Sequence, residues 1–132
     1  MNRLYPTVAQ RAGHRCEYCR APEAVHSFAF EVEHTLPRTR GGGDELNNLA
    51  LACRACNAFK SDAVQATDPE TGQPAPVFNP RVDVWDVHFN VGDDDRIAGL
   101  TPVGRATVAR LNLNADRQVV ARGRWRALNL FP

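Results

Sequence analysis

Apolar and polar residues alternate with period two through residues 28–34, which predicts a half-buried strand with Phe28, Phe30 and Val32 facing the core, closing before Pro37. The apolar run at 49–52 predicts a second strand paired with the first. Between them residues 38–44 read as a polar, glycine-rich loop, and Asp44, Glu45 and Leu46 start one helical turn. Residues 54–64 favour a helix, and a short helix over 8–14 ends at Gly13. The first half thus reads as a strand, loop, strand, helix unit preceded by one short helix.

Residues 67–76 hold three prolines and a glycine and read as a turn-rich connector. Beyond it, alternation over 85–91 predicts a strand with a turn at 92–95 and a return strand at 96–100, a hairpin. Thr101 followed by Pro102 is a helix start, with an N-cap hydroxyl before proline at the first helical position. Val103, Thr107, Val108 and Leu111 share one face of the helix predicted over 102–111. A second helix, 115–130, carries Arg117, Arg122, Arg124 and Arg126 with Gly123 as a weak point; these arginines form no single stripe, which favours a solvated helix over a DNA contact. No internal repeat interrupts this order. The expected division is a core over 1–66 and an extension over 67–132 packed on it.

At 132 residues, 43% hydrophobic and 23% charged, the chain suits about one globular domain. It lacks an apolar run of membrane-spanning length and a secretory leader pattern at its N-terminus, so the expected location is the cytoplasm. Sixteen basic against fifteen acidic residues leave a net charge of +1, so a polyanionic partner must be held locally rather than by a global field.

All four cysteines fall in two identical pairs, Cys16-x-x-Cys19 and Cys53-x-x-Cys56, separated by 33 residues. Two such pairs complete the tetrahedral four-sulfur shell of structural zinc. Two disulfides would need an oxidising compartment, and a redox use of one pair would leave the other idle. A four-sulfur site has no open position, so this metal is structural.

Three polar residues in the same unit stand out: His34 ending the first predicted strand, Asn48 before the second, and Asn57 in the helix, with Glu33 beside His34. The layout brings these positions together. At these residues the chain resembles the HNH endonuclease family, in the branch whose ββα-metal fold is stapled by two Cys-x-x-Cys pairs. The matching text is Cys16-Glu17-Tyr18-Cys19, Glu33-His34-Thr35-Leu36-Pro37-Arg38, Gly41-Gly42-Gly43-Asp44, Asn47-Asn48-Leu49-Ala50-Leu51 and Cys53-Arg54-Ala55-Cys56-Asn57-Ala58-Phe59-Lys60, within residues 14–64. The later hairpin and helices resemble an extension carried by some members. The implied fold class is α+β, a ββα-metal core stapled by a four-cysteine zinc site, with a C-terminal hairpin-plus-helices extension.

The resemblance implies a metal-dependent DNA phosphodiesterase. His34 is then the general base, Asn48 orients it through the loop, and Glu33 and Asn57 hold one catalytic divalent ion, magnesium or manganese. Arg38, Arg40 and Lys60 flank the site as phosphate contacts. One site per chain cuts one strand, which suits a monomer or weak dimer. The sequence departs from the pattern at Asn57, where many members have histidine; a neutral amide oxygen leaves Glu33 as the only charged ligand. Glu33 and His34 are also adjacent, and a regular strand points neighbours to opposite sides. The competing readings are a zinc-stapled nucleic-acid-binding module without catalysis and, more remotely, a protein-interaction domain over 77–132.

Overall fold

The computed structural model describes residues 2–132. Helix α1, Tyr5–Arg11, starts earlier than the predicted 8–14 because Pro6 supplies a favourable first-turn residue. It ends before Gly13 and His14, both at positive φ. Strand β1, Glu31–His34, pairs antiparallel with β2, Leu49–Ala52, in the register Glu31 with Ala52 through His34 with Leu49. All of β2 is buried, since α1 and α2, Arg54–Lys60, both pack on it. Helix α2 is shorter than predicted: it ends at Lys60, and Ser61 takes φ 51°.

The first strand corrects the sequence reading in length and in facing. Phe28 lies outside β1 and is 68% exposed, with the Arg54 guanidinium 5.2 Å above its ring. Phe30 is buried, Val32 is half-buried, and the most deeply buried position of β1 is the acidic Glu33. Alternation is present, but its charged member is drawn inside by partners distant in sequence.

The predicted connector contains a hairpin, β3, Gln65–Thr67, against β4, Pro74–Pro76. Prolines are tolerated because this ribbon has only edge strands. Buried Asp68 closes it by accepting from the Glu70 amide and the Thr71 hydroxyl. Arg105 reaches the same carboxylate at 3.0 and 2.8 Å. The Arg105 guanidinium holds the Asp68 carboxyl down at about 2.

Residues 85–91 are not one strand. Trp85–His88 make a helical turn, α3, and only Phe89–Val91 form β5, which pairs with β6, Ile97–Gly99. The indole N–H of buried Trp85 donates to the Tyr18 carbonyl at 2.8 Å, and Val87 is exposed instead of sharing a strand face with Trp85 and Phe89. Helix α4, Pro102–Arg110, follows the predicted start, with the Thr101 hydroxyl accepting from the Gly104 amide. Helix α5, Asp116–Ala127, is shorter than predicted at both ends. Arg122 is 1% exposed and donates to the Asp95 and Leu113 carbonyls, so it is neither solvated nor open to DNA. Gly123 marks a close approach: a Cβ there would stand 2.4 Å from the Asp95 carboxylate.

The mixed α and β elements with small two-stranded sheets match the expected class. One apolar cluster runs from Val8 through β2 and the four cysteines to Phe78, Trp85, Phe89, Ile97 and Leu113, so both halves of the chain contribute to one core. Among the described residues no helix is long and apolar enough to cross a membrane.

Candidate metal centre and active-site cleft

The two Cys-x-x-Cys turns meet between α1 and α2. All four sulfurs are buried and lie within 4.8 Å of one another. Backbone amides within each pair point at the sulfurs, Cys19 to Cys16 at 3.5 Å and Cys56 to Cys53 at 3.4 Å. The cysteines are free thiols, with Cys19 and Cys53 sulfurs 3.8 Å apart, far beyond a disulfide bond of about 2.05 Å. Crowding raises the Cys19 and Cys56 thiols and lowers Cys53, chiefly through sulfur hydrogen bonds involving Cys16. Four sulfurs gathered this closely form a donor set that fits zinc, which would bind them as thiolates. Cys53 also caps α2, so the metal-binding turn and the helix start are one feature.

Beside this staple, an open cleft of about 360 Å³ is bordered by residues that include Glu33, His34, Pro37, Arg38, Asn57 and Asp62. His34 brings its imidazole to the cleft from the end of β1, and Asn57 lies across from it on α2. The sequence-predicted pair of His34 and Asn57 therefore shares one cleft. The His34 Nε2 atom lies 2.7 Å from Asp44 Oδ1, and Arg38 reaches the same oxygen at 2.8 Å. The His34 hydrogen bond, followed by Arg38, lowers the Asp44 carboxyl below its ordinary range.

Asn48 does not touch the imidazole; it pins the loop. Its carbonyl oxygen accepts from the Thr35 hydroxyl at 2.7 Å and the Leu36 amide at 2.8 Å. Its NH2 group donates to the carbonyls of Leu36, at 3.0 Å, and Gly43, at 2.9 Å. Gly42 sits where this clamp is tightest: a Cβ would lie 1.7 Å from the Leu36 carbonyl oxygen. All four hydrogen-bonding positions of the amide are thereby used.

Glu33 and Lys60, expected as a metal ligand and a phosphate contact, are paired with each other in the structure. Glu33 is 4% exposed and Lys60 2% exposed. The Tyr18 hydroxyl donates to one Glu33 oxygen, and Lys60 Nζ lies 3.1 Å from the other. That second oxygen has no aligned hydrogen bond, so charge rather than a directed bond holds it. Burial raises the Glu33 carboxyl, an effect opposed by Lys60 and Tyr18, and raises the Tyr18 hydroxyl well above its usual range, which keeps it a donor. Lys60 also lies 3.4 Å from the His34 and Thr35 carbonyl oxygens. A divalent ion at Glu33 would have to displace a buried ammonium, so the Glu33–Asn57 donor pair does not fit such an ion. This ion pair instead holds α2 against the strand that carries His34.

The Asn57 amide donates instead to Glu31, whose carboxylate is part-exposed and has Arg54 3.9 Å away. Arg38 is exposed and engaged with Asp44; Arg40 donates to the carbonyl of Asp62, a residue that borders the cleft, at 2.9 Å. Sequence reasoning missed Tyr18, Glu31 and Asp44. The adjacency of Glu33 and His34 was the available signal for Tyr18, since one of two strand neighbours had to face inward.

No curated protein and no solved structure matches the chain. The family model described as HNH endonuclease matches residues 16–63, the span from the first cysteine to just past α2. The zinc-type cluster of four cysteines, the β1–β2 hairpin, α2 and the cleft they frame all arise from that span, which is the part of the chain similar to the HNH endonuclease family.

Proposed function

We propose that the protein is a metal-dependent endonuclease that hydrolyses DNA phosphodiester bonds. The observation that carries this reading is the shared cleft of His34 and Asn57 inside the segment matched by the HNH family. His34 takes a proton from water as the water oxygen forms a bond to phosphorus. The bond from phosphorus to the 3′ oxygen breaks, and that oxygen acquires a proton from solvent, leaving a 5′-phosphate and a 3′-hydroxyl. General-base assistance of this kind gives about 10²–10⁴-fold.

The ion implied by the family has hard oxygen donors available at Asn57 and neighbouring Glu31, a chemistry suited to magnesium or manganese. Held there, such an ion would supply Lewis-acid stabilisation of charge on the phosphate and the departing oxygen. Arg38, at the cleft rim, and Arg40 contact flanking phosphates, whereas buried Lys60 supports the strand from beneath. With a net charge of +1, these local contacts supply the attraction to DNA.

Engagement of the buried Glu33 carboxylate by Tyr18 and Lys60 favours a second reading, a zinc-stapled nucleic-acid-binding module without catalysis. Supercoiled plasmid incubated with zinc-loaded protein and magnesium or manganese separates the two. Nuclease action converts it to open circles whose nicks carry 5′-phosphate and 3′-hydroxyl ends, and a chelator of the added ion prevents this. Salt-sensitive gel-shift binding with no nicking under either metal overturns the nuclease reading in favour of the second.

A further inference from the structure

Asp44 stands ten positions beyond His34 in a loop whose shape is fixed from three sides. Asn48 holds the Gly43 carbonyl at 2.9 Å, the Gly42 amide donates to the Pro37 carbonyl at 3.0 Å, and Gly41 turns the chain at φ 91°. The close approach at Gly42 excludes any side chain there. Asp44 is therefore delivered to the imidazole by a built loop, and Arg38 donates to the same Oδ1 at 2.8 Å.

The contact determines which nitrogen carries the proton. An ionised carboxylate only accepts and a guanidinium only donates. Nε2 of His34 must therefore either donate to Asp44 at 2.7 Å or accept from Arg38 Nε at 3.3 Å. The shorter, charge-assisted contact decides for donation. Nδ1 then keeps its lone pair, and among the described residues it makes no hydrogen bond within the protein.

We infer that Asp44 is a positioning residue for hydrolysis, holding the His34 imidazole as the Nε2-protonated tautomer so that Nδ1 is the nitrogen that takes the proton from water. The inference rests on the reading of His34 as the base. It also assigns Arg38 a part in bracing the carboxylate, in addition to meeting phosphate.

The test uses full-length, zinc-loaded protein with supercoiled plasmid as the probe, comparing wild type, Asp44→Ala, Asp44→Asn and His34→Ala. A carboxylate that orients a metal-bound imidazole is typically worth on the order of 10–100-fold, and an effect of the same order is expected for this imidazole. Asp44→Ala is expected to lower kcat by that factor with little change in KM, and Asp44→Asn, whose amide oxygen can still accept, to lower it less. Nitrogen-edited NMR supplies a readout indifferent to catalysis: the His34 Nε2–H resonance, protected by its acceptor in wild type, is expected to broaden into solvent exchange in Asp44→Ala. An unchanged kcat in Asp44→Ala, or an Nε2–H resonance equally protected without the carboxylate, overturns the inference while leaving the base assignment standing. Full cleavage by His34→Ala overturns both together.

Discussion

Replacing Cys53 with serine is expected to abolish the folded state of the zinc-bearing unit, taking residues 10–64 with it. Structural zinc contributes about 10–16 kcal/mol to small zinc-folded peptides, as much as the whole net stability of a typical domain, about 5–15 kcal/mol. The packing around the staple cannot replace that contribution. The core there is built largely from small side chains, Ala9, Ala21, Ala50 and Ala52 with the cysteines themselves, and each buries little apolar area. Cys53 also supplies the cap of α2 and directly follows β2, so its loss frees both elements at once. Far-UV circular dichroism and bound-zinc measurement on Cys53→Ser check this, and strong chelation of the wild type should reproduce the variant's spectrum. A variant that binds no metal yet unfolds cooperatively at the wild-type temperature would refute the staple.

The second large effect concerns Lys60. Lys60→Met is expected to destabilise the protein by about 3–5 kcal/mol, the usual consequence of leaving one partner of a buried ion pair uncompensated. Glu33 would then be a buried carboxylate with only the Tyr18 hydroxyl to meet it. Adding Glu33→Gln should recover most of the loss, because an amide oxygen accepts from Tyr18 without bringing a charge inside. The pH dependence has a definite sign. Burial already raises the Glu33 carboxyl in the folded protein, and removing the opposing ammonium raises it further. The unfolded chain therefore ionises first as pH rises, so the penalty is present above the ordinary carboxylate range and fades as pH falls through it. Urea midpoints of the single and double variants across that range are the check; equal midpoints for wild type and Lys60→Met at neutral pH would show that the ion pair contributes nothing.

Features with local causes were legible in the sequence. The cysteine spacing, the Thr101–Pro102 helix start, the turn at 92–95 and the apolar run of β2 each depend on residues a few positions apart, and each took its expected form. The misread features depend on distant partners. Alternation over 85–91 gave no hint that the Trp85 indole would bond to the Tyr18 carbonyl and wind the chain into a turn. Prolines concealed the β3–β4 ribbon because its anchor, Asp68, is completed by Arg105 from α4. The place of Glu33 beside His34 suggests a ligand, whereas its surroundings come from Tyr18 and Lys60. Within the cleft, the sequence located His34 and Asn57, and it placed Asn48 in the loop it pins; it did not reveal Asp44, whose approach to His34 depends on the fold of the glycine-rich loop.

The central claim is that the His34 imidazole performs proton transfer in a cleft that zinc merely assembles. The most direct measurement is single-turnover nicking of supercoiled plasmid by wild type and His34→Ala, with zinc content and thermal unfolding recorded on the same samples. The account predicts equal zinc content, near-equal stability and a loss of nicking of about 10²–10⁴-fold. Undiminished nicking by a folded, zinc-loaded His34→Ala protein would contradict it.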